Sequence, residues 1–245
     1  MKRTERHHLK ENELEILTRQ AREMIAARQR EVTAGIIVAA VIGVAALGYF
    51  LWHDRVEGRA HAMLADAMVV QDARVVPPAA PGTPPPQPTP GTYPSEQAKL
   101  EAALAKFKAT ADAYPGTDAG LYARYQQGAT FLALNRPADA TSCYEDVIKR
   151  AGNRIYGQMA RLGVAEAQAR AGKYDQAING FKELAQRKDG PLPVDGILMQ
   201  LGRTYLEAGK TADAQQTFNR LVQEYPDSPY NTEAKRELDG LKNKS

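Results

Sequence analysis

The residues whose types could support catalysis or metal binding are few and widely spaced in this chain. The histidines are His7, His8, His53 and His61, and the single cysteine is Cys143. A metal site needs several such ligands close together, and nucleophilic catalysis needs a nucleophile beside a base. The sequence also contains neither a phosphate-binding glycine loop nor a nucleophile elbow. We therefore predict that the protein is not an enzyme and holds no cofactor and no metal.

The composition favours a helical protein that does not bind nucleic acid. Among 245 residues, 32 Lys and Arg oppose 29 Asp and Glu, which leaves a net charge of only +3. Nucleic-acid binding needs a stronger and more clustered positive charge. Much of the 43% hydrophobic content is alanine, which suits closely packed helices. A single cysteine excludes an intramolecular disulfide and is compatible with either a reducing or an oxidising compartment.

An apolar segment from Val32 to Trp52 dominates the N-terminal part of the chain. No charged residue lies between Glu31 and Asp54. At about 1.5 Å per residue, roughly twenty helical residues cross the hydrocarbon core of a bilayer. We predict one transmembrane helix over residues 32–52. A cleaved secretory signal is the alternative, although this apolar run is longer than the core of such a signal usually is.

The charges on the two sides of this segment predict its orientation. Arg19, Arg22, Arg28 and Arg30 precede it closely, whereas Arg55 and Arg59 follow it. Basic flanks are retained in the cytoplasm, so the N-terminus should lie inside. Residues 1–31 are predicted to form a cytosolic amphipathic helix.

Small residues recur every four positions within the segment, at Gly35, Ala39 and Gly43. Such a face allows another transmembrane helix to approach closely. We predict a transmembrane helix contact here, although the pattern also arises by chance in alanine- and glycine-rich spans.

Two different segments follow the predicted span. Residues 53–74 keep a helical pattern and should form a membrane-proximal helix. Residues 75–94 are rich in proline, which lacks the backbone donor that a helix or sheet requires. This tract is either a linker between the membrane and the C-terminal region or an insertion between two helices that pack together.

Beyond Pro94 the sequence repeats with a period of 37 residues. Residues in the same register are Gly128, Ala165 and Gly202, then Asn135, Gly172 and Gly209, then Ala140, Ala177 and Ala214, then Tyr144, Phe181 and Phe218. In each unit a small residue lets the first helix approach its neighbour, and Gly or Asn ends that helix in a left-handed conformation. The later residues form an apolar stripe on a second helix. One unit cannot bury this stripe alone, so we expect the copies to stack.

These residues resemble the tetratricopeptide repeat. The pattern is matched by Leu201, Gly202, Tyr205, Gly209, Ala214, Phe218, Leu221 and Pro226. The resemblance covers residues 95–245. It implies an all-α fold in which a right-handed helical repeat array follows the transmembrane helix and ends in a capping helix that begins near Ser228 and Pro229. The chain departs from the pattern at Arg124 and Arg161, where a large apolar residue is usual.

The resemblance also implies a protein-binding groove on the concave face, lined by the first helix of each unit. The matching positions in this chain are Tyr122, Tyr125, Met159, Leu162, Glu166, Arg170, Met199 and Arg203. Aromatic, methionine and arginine side chains are frequent in protein interfaces. The alternative is that several of these side chains merely pack against the adjoining helix.

The order of basic tail, single span and repeat array resembles the YfgM-like ancillary subunits of the bacterial SecYEG translocon. The resemblance implies a single-pass inner-membrane protein with a cytoplasmic N-terminus and a periplasmic repeat domain. Such a scaffold would bind emerging envelope proteins or periplasmic chaperones beside SecYEG. The closing repeat resembles those of scaffolds for outer-membrane or cell-wall and division machinery, which is the alternative function.

Overall fold

The computed structural model describes residue 19 and residues 29–76, 91–187 and 190–242. The chain divides into two compact units, Met1–Arg55 and Val56–Ser245. Helix α1, Gln29–Gln71, begins in the first unit and ends in the second. The helix predicted over residues 1–31 lies mostly outside the described residues.

In the first unit, α1 exposes its apolar side chains. Every described side chain from Thr33 to Arg55 is exposed, including Phe50 at 68% and Trp52 at 61%. In the described part of the chain, α1 is the one helix long and apolar enough to cross a membrane, judged by length and composition. An exposed apolar surface of this length is compatible with the predicted membrane span.

The second unit is a series of helices with one short pair of strands near its start. After α1 follow β1 (Arg74–Val75), β2 (Thr92–Tyr93), α2 (Glu96–Ala113), α3 (Asp118–Ala133), α4 (Pro137–Ala151), α5 (Ile155–Arg170), α6 (Tyr174–Ala185), α7 (Val194–Glu207), α8 (Thr211–Glu224) and α9 (Asn231–Lys242). From α2 onward each helix packs against the next, and α5 also contacts α3 and α7. The predicted all-α repeat array is confirmed.

The turn inside each predicted repeat contains one residue in the left-handed conformation. These residues are Asn135, Gly172 and Gly209, with φ angles of 56°, 73° and 72°. In each turn the next residue donates its N–H to a carbonyl five positions earlier, at 2.8–2.9 Å. This is the hydrogen bond of a Schellman cap, and the predicted left-handed helix ends are confirmed.

The core lies between the helices, where rings pack on positions without side chains. Tyr144 of α4 is 1% exposed, and its ring lies against Gly128 of α3 and Gly163 of α5. A Cβ at either glycine would lie 2.7 Å or 2.6 Å from the ring. The ring of one unit is therefore enclosed by two successive first helices, which fixes the spacing between them.

The end of α1 packs within the second unit as a further first helix. Ala60, Leu64 and Ala67 share one buried cluster with Ala103 and Phe107 of α2. This contact favours the second alternative for the proline-rich tract, an insertion in the turn between two packed helices.

The two strands were not predicted from the sequence. β1 and β2 pair in parallel, with Arg74 opposite Thr92 and Val75 opposite Tyr93. The N–H of Val76 donates to the carbonyl of Tyr93 at 2.8 Å. Two residues per strand are too few to produce a recognisable alternating pattern.

Arg124 makes a polar bridge where the repeat usually has an apolar residue. Its guanidinium lies 2.6 Å from the carboxylate of Asp112 on α2 and 3.2 Å from that of Asp146 on α4. The arginine side chain is only 18% exposed. At the equivalent position, Arg161 donates to the carbonyl of Gly152 at 3.3 Å. At these two positions, polar contacts of an arginine connect neighbouring helices and turns in place of the packing of an apolar side chain.

The capping helix is present but begins later than predicted. Helix α9 starts at Asn231, whereas the expected start was near Ser228 and Pro229. The Ser228 hydroxyl donates to Asp195 at 2.7 Å and accepts from the N–H of Tyr230 at 3.1 Å. The serine thus joins α9 to α7 through the turn instead of capping a helix at Pro229.

Candidate protein-binding groove

The first helices α3, α5 and α7 carry the predicted groove residues, and three of these residues meet in one pocket. The pocket has a volume of about 540 Å³ and lies between α5, α6 and α7. Glu166 and Arg170 line it from α5, and Arg203 lines it from α7. The other lining residues are Leu132, Ala169, Tyr174, Phe181, Gln200, Thr204 and Glu207. Three of the residues that the resemblance implied therefore line the same pocket.

Charges of both signs meet in this pocket. Burial raises the pKa of Glu166 above its ordinary value of 4.5, while the charge of Arg170 opposes that rise. The guanidinium of Arg203 forms an ion pair with Glu233 of α9. The pocket therefore presents hydrogen-bond donors and acceptors together, as recognition of a polypeptide with mixed polar groups requires.

A group of tyrosines lies on the first helices before the pocket. The ring of Tyr122 is stacked on Tyr125, with centroids 6.3 Å apart, and lies 5.9 Å from Tyr156. The Tyr122 hydroxyl accepts a hydrogen bond from Gln126 at 2.8 Å. Tyr156 was not selected from the sequence, although its place one turn before Met159 is a signal that could have found it.

One of the predicted groove positions faces inward in all three units. Tyr125, Leu162 and Met199 occupy the same register position, 37 residues apart. Tyr125 packs against Tyr144 with centroids 5.4 Å apart, Leu162 packs on the C-terminal core, and Met199 is 1% exposed within that core. Met199 is therefore a packing residue in this structure. The alternative of packing against the adjoining helix is the better description of this position.

The remaining predicted residues lie apart from the pocket. Met159 of α5 is half-buried. Gly35, Ala39 and Gly43 lie in the first unit, where all three are exposed. A Cβ at Gly35 or Gly43 would meet nothing within 4 Å. Their role as a transmembrane helix contact stays a prediction.

The side chain of Cys143 is buried. Burial raises the pKa of Cys143 to about 11, so the thiol stays protonated at neutral pH. Within the described ranges, no three His, Cys, Asp or Glu side chains are grouped closely enough to hold a metal ion.

Packed helix pairs with a left-handed residue in each turn define an all-helical repeat array. Sequence models of the tetratricopeptide repeat match residues 125–193 and 168–238. This part of the chain therefore consists of tetratricopeptide repeats, a domain type that generally mediates interactions between proteins.

Solved structures show the same fold at low sequence identity. A candidate kinesin light chain from Podosopora anserina with nearly identical TPR-like repeats is 11% identical, with a TM-score of 0.56. The alignment covers 76% of this chain and 85% of that one. The apo form of RapI is 12% identical with a TM-score of 0.51, over 59% of this chain and 57% of that one. Comparison with curated protein sequences finds no match.

Proposed function

We propose that this protein is a membrane-anchored scaffold that binds extended polypeptides along its first helices. The observation that carries the proposal is the meeting of Glu166, Arg170 and Arg203 in one pocket of about 540 Å³. A main chain in extended form presents donors and acceptors in alternation, and a pocket with both charges can pair with each. Apolar lining residues such as Phe181 would receive side chains of the bound segment.

We further propose that residues 32–52 anchor the protein in the bacterial inner membrane, with the repeats in the periplasm. The exposed apolar side chains of α1 support the anchor. The arginines before residue 32 support a cytoplasmic N-terminus.

The specific role that we propose is that of an ancillary subunit of the SecYEG translocon. In this role the groove binds envelope proteins as they emerge, or binds a periplasmic chaperone. The proposal is supported by the order of basic tail, apolar helix and repeat array. The groove would then keep the unfolded segments of a translocating protein away from one another while they are exposed.

Site-specific photo-crosslinking in cells tests both parts of this proposal. A photoreactive residue at Ala39 should crosslink to translocon subunits, and one at Arg170 should crosslink to an envelope protein during its export. The matched controls are Val41, on the opposite side of the apolar helix, and the exposed Gln215 on α8. Crosslinks from Ala39 to cell-wall or division proteins alone would contradict the translocon role.

The orientation is tested by a reporter that is active only in the periplasm, fused after residue 245. Activity supports the proposed topology. An inactive but stable fusion would place the repeats in the cytoplasm and contradict the periplasmic role.

A further inference from the structure

The pocket between α5, α6 and α7 contains a carboxylate that has no partner. Glu166 lines this pocket from α5 and is half-buried. Within the part of the chain that the structure describes, its carboxylate has neither a hydrogen bond nor an ion pair. A carboxylate that is partly removed from water normally has a donor or a cation beside it. Glu166 is therefore able to accept hydrogen bonds from a ligand in the pocket.

The charges around Glu166 leave the pocket with an excess of negative charge. Two carboxylates, Glu166 and Glu207, and two guanidinium groups, Arg170 and Arg203, line the pocket. Arg203 already forms an ion pair with Glu233 of α9. Arg170, one turn after Glu166 on α5, is exposed and forms no ion pair with it. Two carboxylates against one remaining guanidinium leave an excess of one negative charge, which one cation would balance.

The apolar walls of the pocket suit the stem of a long cationic side chain. Leu132 and Phe181 are buried, Tyr174 is half-buried, and all three line the pocket. Lysine and arginine place their methylene groups against such surfaces while their charged ends reach polar groups. The volume of about 540 Å³ lies in the range of pockets that enclose whole small ligands, so a single side chain fits inside.

We propose that the pocket binds a lysine or arginine side chain of the bound polypeptide, with Glu166 as the acceptor for its charged end. The inference rests on the proposed function, because it assigns one kind of side chain to the groove. The methylene groups lie against Leu132 and Phe181, and the charged end donates to Glu166 while Glu207 adds attraction. An acidic side chain would add to the negative charge, and an apolar one would leave the carboxylate without a donor.

Peptide binding tests this subsite. The probes are a short fluorescent peptide of leucine, serine and lysine, called the lysine peptide, and the same peptide with glutamine in place of every lysine, called the glutamine peptide. Fluorescence anisotropy with the full chain in nanodiscs of zwitterionic lipid gives both dissociation constants, and their ratio is the preference for lysine. The wild type should prefer the lysine peptide about tenfold, and Glu166→Gln should bring the ratio close to one.

Three further variants separate the pocket from general effects of charge. Glu207→Gln, at an exposed position of the pocket, should lower the preference about threefold without disturbing buried atoms. Arg170→Gln removes the positive charge one turn from Glu166 and should raise the preference, although it also removes a donor from the pocket. Glu145→Gln on α4 is the matched control, because it makes the same substitution at an exposed position outside the pocket, and it should keep the preference of the wild type.

Equal binding of both peptides by the wild type, or an unchanged preference in Glu166→Gln, would overturn the subsite while leaving the groove in place. An equal loss of preference in Glu145→Gln would also overturn it, because the general surface charge would then be the source. If circular dichroism shows that Glu166→Gln does not fold, an unchanged preference in Glu207→Gln overturns the subsite instead. Binding of neither peptide would overturn the proposed groove and the subsite with it.

Discussion

Gly202 of α7 and the ring of Phe218 of α8 are in direct contact. A Cβ at Gly202 would lie 2.3 Å from Cε1 of Phe218, a ring that is completely buried. The same relation joins Gly128 to Tyr144 two units earlier. The small residue of the repeat pattern thus gives room for the aromatic ring of the same unit, and neither position is independent of the other.

Gly202→Ala should destabilise the protein. The ring cannot move away in a packed core, and such overpacking costs about 1–3 kcal/mol, against about 1 kcal/mol that alanine contributes by its higher helix propensity. We expect a lower urea midpoint for the full chain, followed by circular dichroism. Gly240→Ala on α9, where a Cβ would meet nothing within 4 Å, should leave the midpoint unchanged or raise it. Similar midpoints for the two variants would contradict the contact.

Glu166→Gln should stabilise the protein at neutral pH. Because burial raises the pKa of Glu166 above 4.5, the folded state binds this proton more tightly than the unfolded chain does. The unfolding free energy of the wild type therefore falls as the pH rises from 4.5 through the higher folded pKa. The Glu166→Gln variant has no ionisable group at this position, so its unfolding free energy does not fall for this reason.

The measurement is the difference in thermal midpoint between Glu166→Gln and the wild type as a function of pH. The difference should be largest at neutral pH and should shrink as the pH approaches 4.5. Glu145→Gln, at an exposed position of α4, is the control and should show no such trend. A constant difference across this pH range would mean that Glu166 is not buried as described.

The bridge from Arg124 to Asp146 should contribute measurably to stability. In a double-mutant cycle of Arg124→Ala and Asp146→Ala, we expect a coupling of about 1 kcal/mol, because the arginine is 18% exposed. The pair Arg136 and Asp139, 53% and 47% exposed, should give about 0.3 kcal/mol. Urea unfolding of the four variants of each cycle provides the values. Equal coupling energies in the two pairs would contradict a special contribution of the Arg124–Asp146 pair to stability.

Loss of both pocket arginines should weaken peptide binding. Arg170→Ala with Arg203→Ala removes two charged donors from the pocket, and we expect about tenfold weaker binding of a short fluorescent peptide of leucine, serine and glutamine. Fluorescence anisotropy with the full chain in nanodiscs measures the affinity. Lys149→Ala, on the exposed surface of α4, should bind as the wild type does. Unchanged affinity in a stable double variant would place the peptide elsewhere.

The repeat fold was predictable because its units obey one local pattern several times. A helix end at Asn135, Gly172 or Gly209 needs only the residue type and the period of 37, and all three have the left-handed conformation. The apolar stripes were predicted for the same reason, since their spacing on one helix determines which face is buried.

The side chains of the groove were harder to predict, because their surroundings depend on helices distant in the sequence. Tyr125, Leu162 and Met199 share one register position, yet only Met199 is fully enclosed. It belongs to the same core as Ala234 and Leu238 of α9, beyond the last repeat.

The short pairing of β1 with β2 fixes both ends of the segment between them. Val76 and Gly91 border that segment at positions set by the strands. Doubling the length of a flexible loop costs only about 0.6 kcal/mol in closure entropy. A purification tag or fluorescent domain inserted here should therefore leave the scaffold folded, and natural variants should tolerate gain or loss of residues at this one place.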